Sequence, residues 1–262
     1  MALSAGEILV VLLAAIVPPI IYVLWVRSKE LCDRDQLRAL LSAFVVGGTF
    51  SLGLAFLMES ALVTLLFGEG GLLSRPFWNL DPGDPSFQLI VLACVMAPLV
   101  EEMTKAWGIM LFRGRLAVLK NGLVYGAAVG LGFAAVENVL YGANAMAVGL
   151  DVFVGTAVLR ALTSTLLHAS ASAISGFGIS RQMVLRAKGQ KVSWLPYYGL
   201  AVLLHASFNF FAIVGQVSGS QFAYMLGLGF AVLLVATTFD RILKKVVDLD
   251  ALLCAQPGEG SI

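Results

Sequence analysis

Eight ionisable side chains sit in stretches otherwise apolar enough to cross a bilayer: Glu59, Glu101, Glu102, Lys105, Glu137, Arg160, His168 and His205. The two histidines are the only ones in the chain. A charge at the bilayer centre costs roughly 2.5–3.5 kcal/mol on insertion scales, so such residues need partners and usually mark function. Carboxylates and imidazoles together suit the activation of water: a desolvated glutamate is a stronger proton acceptor, and a histidine positions the water or returns the proton. An Asn amide or a His N–H beside them could stabilise an oxyanion, worth roughly 2.7–4 kcal/mol per donor. Two His and a Glu could equally hold zinc with a position left for water. Neither HExxH nor GxSxG occurs, so a single-helix zinc motif and a serine nucleophile elbow are both missing.

Spacing sharpens this set. Glu101 and Lys105 are i,i+4 and share a helix face, whereas Glu102 points about 100° away, so the lysine is expected to serve Glu101 alone. Gly122, Gly126 and Gly130 recur every fourth residue, a pattern that admits a closely packed neighbouring helix, and Glu137 falls on nearly the same face. Arg160, Ser164, His168 and Ser172 form one ridge, and His205 and Asn209 lie one turn apart. Taken singly, each has a plainer reading: an intramembrane ion pair at Glu101–Lys105, packing histidines, a snorkelling Arg160, and a structural or interfacial Glu59.

The elements that must carry them follow from composition. Of 262 residues, 59% are hydrophobic and 13% charged, about half the charged share of a soluble domain. The expected fold is all-α, a polytopic transmembrane bundle of about seven spans near 6–26, 39–67, 88–112, 121–148, 153–179, 195–216 and 222–239, in one membrane domain over 1–262. Its chemistry-bearing helices cover approximately 88–216, and a cytoplasmic tail covers approximately 240–262. The first apolar run lacks a basic preceding region and reads as a retained span, kinked by Pro18-Pro19. Of the 17 basic residues, only Arg75 falls in the alternate linkers 68–87, 149–152 and 217–221, while Lys105 and Arg160 lie inside spans. By the positive-inside rule the N-terminus is outside and the C-terminus cytoplasmic. The linker 68–87 carries Phe77 and Trp78 as interface anchors. Cys32, Cys94 and Cys254 are widely spaced and suggest neither a disulfide framework nor a thiolate metal site. Net charge is +1, with no sign of nucleic-acid binding.

Helix rise places Glu101, Glu102, Glu137, His168 and His205 about 15–24 Å into their spans. Four consecutive helices thus bring an acid or an imidazole to one middle band. Packing alone would be served by Ser and Ala at lower cost.

At this point the chain resembles the PrsW family of multi-span intramembrane proteases, itself distantly similar to the CAAX prenyl-protease and bacteriocin-immunity membrane proteases. The ordered elements are EEMTK (Glu101, Glu102, Lys105), FAAVEN (Phe133, Glu137), HASAS (His168, Ser172) and HASFN (His205, Asn209), within roughly 90–215. The second element carries Glu where the CAAX-type relatives have His. The resemblance implies an intramembrane endopeptidase of the prokaryotic plasma membrane acting on transmembrane protein substrates, as in site-1 cleavage of an anti-sigma factor in stress signalling. Prenylated substrates are less expected.

On that reading Glu101 or Glu102 is the water-activating base. His168 and Glu137 position water, shuttle a proton or bind metal, and His205 and Asn209 form the oxyanion side. Lys105, Phe133 and Ser172 support them. Zinc is admitted but not required, with ligands among Glu101, Glu102, Glu137, His168 and His205, and so is a homo-oligomer. The rival is a transporter or channel that relays protons or a cation through midplane Glu and His; no inverted repeat supports it.

Overall fold

A computed structural model describes residues 3–73, 81 and 83–255. Phe77, Trp78 and Arg75 of the 68–87 linker, and the chain beyond 255, lie outside the described residues. Seven helical rods are long and apolar enough to cross a membrane, and no strand occurs among the described residues. α1 (Ala5–Ser28) opens on a capping box, in which the Glu7 amide donates to the Ser4 hydroxyl and Glu7 Oε2 accepts from the Ser4 amide at 2.7 Å. It continues through Pro18 and Pro19.

The second rod is α2 (Leu37–Val46), a π-helical turn (Gly47–Ser51) and α3 (Leu52–Phe67). The third is α4 (Pro85–Ile90), a second π turn (Val91–Met96) and α5 (Ala97–Met110). α6 (Leu119–Val148) is the hub, with every residue from Lys120 to Ala135 buried. The fifth rod differs from the single helix expected over 153–179. It breaks at Thr163, φ −125° and ψ −79°, into α7 (Leu150–Leu162) and α8 (Ser164–Ala187). α9 (Leu195–Ser218) and α10 (Gln221–Cys254) complete the bundle, the latter carrying the span on into the tail.

The glycine ridge of α6 does what its spacing implies. Gly122, Gly126 and Gly130 lie against the backbone of α8 at Gly176, Ser172 and His168, where any Cβ would overlap main-chain atoms. Gly132, on another face, lies against the Phe44 carbonyl of α2. With no hydrophobic force between helices in lipid, such close approach supplies the attraction, and the outer faces of α1, α7 and α10 remain apolar and exposed.

One end of the bundle is closed by a polar clasp joining the α1–α2 linker, the start of α6 and the end of α10. Lys120 is fully buried, with its ammonium 2.7 Å from Glu30, 3.4 Å from Asp250 and 3.7 Å from Asp33, and it donates to the Asp33 carbonyl. Asp250 accepts the successive amides of Leu31, Cys32 and Asp33 at 2.6, 2.9 and 3.3 Å. The Tyr125 hydroxyl donates to Asp35. Burial pushes the Glu30 carboxyl up to about 7 and the Asp35 carboxyl upward as well. A Cys32–Cys254 disulfide seals this clasp. The wide spacing of the cysteines suggested no disulfide framework, because a pairing across 222 residues leaves no trace in local spacing.

Candidate active site

α5 presents the acids, and its entry is set by Pro98. The π turn joins the Ala97 amide to the Leu92 carbonyl; in the same register residue 98 would serve Ala93, but proline has no N–H. The Asn209 amide of α9 supplies the missing donor, at 2.7 Å from the Ala93 carbonyl. A second tie, from the Tyr198 hydroxyl to the Leu99 carbonyl at 2.9 Å, holds α9 along α5. Asn209 therefore docks helices. Its amide is engaged on the π turn, outside the group of four at the centre.

At the centre, Glu101, Glu102, His168 and His205 each offer a ligand atom within 4.8 Å of the others, and all four residues are buried. The Lys105 ammonium stands among them: 3.0 Å from Glu101 Oε2, 2.9 Å from Glu102 Oε1 and 2.7 Å from His168 Nδ1. The expectation that it would serve Glu101 alone is wrong. The long lysine side chain returns over the preceding turn and reaches both i−3 and i−4. Phe133 of α6 lies beneath it, the ammonium 4.0 Å from the ring centre, a placement worth 2 kcal/mol or so when desolvated.

The hydrogen bonds define the tautomers. Lys105 can only donate, so His168 Nδ1 accepts, its Nε2 carries the proton, and that proton is donated to Glu137 Oε2 at 2.8 Å. His205 Nδ1 donates to Glu102 Oε1 at 2.8 Å. The two imidazoles meet edge to face, 5.2 Å between centroids.

Glu137 is thus the carboxylate behind His168 and falls outside the group of four, although the sequence placed it among the metal-ligand candidates. Arg160 pairs with the same oxygen at 2.7 Å and with Asn138 Oδ1 at 2.7 Å, its guanidinium stacked 3.9 Å over Tyr141. The snorkelling expected of Arg160 does not occur. The break at Thr163 lets α7 lean on α6 independently of α8, and Asn138 also donates to Thr165 just past that break. Ser172 lies one turn beyond His168, buried against Gly130 rather than facing the acids.

A cleft of about 660 Å³ reaches this centre, walled by α3, the α4–α5 rod and α6, with Glu59, Glu101 and Glu137 among apolar residues such as Phe56 and Leu92. Glu59 was read as structural or interfacial; the fold instead puts it in the cleft, with Oε1 buried and unpartnered. Its sequence neighbours gave no hint, because the other acids come from α5 and α6.

A divalent metal fits this donor set. Among the described residues Glu102 Oε2 is buried without a partner. Two carboxylates and two imidazoles suit zinc-type ions.

A family model described as "PrsW family intramembrane metalloprotease" matches residues 35–238. The chain is 26% identical over 239 residues to "Protease PrsW" of Clostridioides difficile (strain 630), covering 88% of this chain and 90% of that one. It is 30% identical over 140 residues to "Protease PrsW" of Geobacillus kaustophilus (strain HTA426), covering 52% and 56%. No solved structure matches it significantly.

Proposed function

This chain belongs to the PrsW family of intramembrane metalloproteases, and we propose that it hydrolyses a peptide bond of membrane-anchored proteins at the centre formed by Glu101, Glu102, His168 and His205. The observation that carries this is their convergence, from three helices, beside a cleft of about 660 Å³ that Glu101 lines.

Glu101 is the water-activating base: of the two acids it alone lines the cleft, its side chain 10% exposed against 0% for Glu102. Lys105 ties both carboxylates together and fixes their rotamers. Glu137 keeps the His168 proton on Nε2, so that Nδ1 turns its lone pair to the centre, where it accepts from Lys105. Glu102 anchors the Nδ1 proton of His205, so that the Nε2 lone pair is the one left free to bind a metal. Glu102 and His205 would hold the metal, with Glu101 beside it and His168 joining them if Lys105 released its Nδ1; the chemistry it would supply is polarisation of the scissile carbonyl and acidification of water. The substrate class is a transmembrane protein entering sideways between α3 and α6, with site-1 cleavage of an anti-sigma factor as the specific case the family likeness supports. With Arg and Lys gathered at the clasp end, that end faces the cytoplasm.

The test uses purified protein in liposomes with a single-span reporter. Cleavage by the native chain that disappears in Glu101→Gln supports hydrolysis here. Proton-coupled solute flux without cleavage would establish the transporter alternative, which the family match does not favour.

A further inference from the structure

A second cavity lies away from the active centre, a groove of about 500 Å³ between α8, α9 and α10. Its walls are apolar (Phe177, Leu200, Leu203 and Leu234 among them), and its lower rim carries Arg241 and Lys245. These cations lie one turn apart on α10 and point into the same groove. Neither has a hydrogen-bond or ion-pair partner among the described residues, whereas Lys244 between them is paired with Asp240 at 2.7 Å. Two unpaired cations at one end of an apolar trough form an amphipathic receptor: the trough takes hydrocarbon and the rim takes an anion.

Depth fits a lipid of one leaflet. Arg241 comes twenty residues after the start of α10, about 30 Å along the helix, which is the thickness of a bilayer's hydrocarbon core. The guanidinium therefore sits at headgroup level on the clasp side. From there the groove runs up α9 to Leu203 and Ser207, eight to twelve residues above the start of that helix, about 12–18 Å. That is half the core, the reach of one acyl chain.

We propose that this groove binds an anionic phospholipid of the clasp-side leaflet, its phosphate held by Arg241 and Lys245 and one acyl chain laid against α9. Basic pockets between transmembrane helices are suited to such headgroups. The occupant buttresses the helix that carries His205: Leu203 and Leu204, which line the groove, directly precede it. A zwitterionic lipid carries the same phosphate, but its headgroup cation lies beside Arg241 and Lys245 and cancels the charge that draws it there.

The experiment measures thermal unfolding of the full chain in a neutral detergent with added phosphatidylglycerol, phosphatidylcholine of the same chains, or glycerol 3-phosphate. The native chain is expected to gain several degrees from phosphatidylglycerol alone, and native mass spectrometry to show one retained molecule. Arg241→Ala/Lys245→Ala should lose that gain and bind phosphatidylglycerol about tenfold or more weakly, while Lys244→Ala keeps it. Equal gains from both lipids, a gain from glycerol 3-phosphate alone, or an unchanged gain in the double variant would each overturn the assignment. Because binding is read without cleavage, the outcome is independent of the peptidase reading.

Discussion

Adding one methyl group at Gly130, a residue without ionisable chemistry, is predicted to disable the centre. A Cβ there would lie 2.7 Å from the His168 carbonyl carbon and 2.7 Å from the Ser172 hydroxyl, and closer still to the His168 carbonyl oxygen. Carbon contacts are optimal at about 3.5–4.0 Å, so α6 and α8 must part by roughly 1 Å. Main-chain atoms cannot rotate aside as a flexible side chain would. His168 is the residue pushed, and its contacts at 2.7 Å to Lys105 and 2.8 Å to Glu137 leave no slack for that displacement. A 1 Å misplacement costs about a hundredfold in rate, while overpacking costs about 1–3 kcal/mol in stability. Gly130→Ala should therefore lower kcat/KM on a reconstituted membrane-anchored reporter by about two orders of magnitude while remaining folded in detergent. Gly155→Ala, where an added Cβ meets nothing within 4 Å, is the control. A folded Gly130→Ala protein cleaving at the native rate would refute the reasoning, because the helix–helix contact would then not be positioning His168.

Other perturbations follow from the same contacts. Lys105→Met leaves two buried carboxylates without their shared cation and should destabilise the fold by about 3–5 kcal/mol, read as a lowered unfolding midpoint; an unchanged midpoint would show that the ion cluster is not held as described. Glu137→Gln removes the carboxylate behind His168 and should lower kcat about 10–100-fold with KM little altered; a change confined to KM would place Glu137 in substrate binding instead. At the clasp, Glu30 faces Lys120 and Asp35, the lysine also meeting Asp33 and Asp250, and burial raises its carboxyl from 4.5 to about 7. A raised acid holds its proton longer in the folded chain than in the unfolded one, so its contribution is full below about 4.5 and is lost as pH climbs through about 7. Glu30→Gln should flatten thermal stability across that window, and a native-like slope in the variant would point to another group.

Much of this arrangement was legible in the chain because a membrane imposes strong local rules. The seven rods follow from hydropathy, and the α6–α8 interface from three glycines at four-residue spacing. Counting helix rise was enough to bring Glu101, Glu102, His168 and His205 to one level, since spans of similar length share two boundaries. What spacing could not supply was rotation and partnership between helices. Lys105 reaches both acids because its side chain is long and flexible, which no helical wheel shows. Arg160 and Glu137 meet because the fifth rod breaks at Thr163, where no glycine or proline announces a break. Asn209 is claimed by a carbonyl that Pro98 fails to serve, and Glu59 joins the cleft through neighbours on α5 and α6. The Cys32–Cys254 bridge likewise depends on how the first linker and the last helix end side by side.

The central claim is that the acids of α5 and the imidazoles of α8 and α9 act as one unit. Groups that work together are non-additive, each single loss costing nearly as much as their joint loss. The direct measurement is kcat/KM for Glu101→Gln, His205→Ala and the double variant on one reconstituted substrate. The account predicts that each single change removes nearly all cleavage and that the double variant is scarcely worse. Losses that multiply, or a single variant near the native rate, would contradict it.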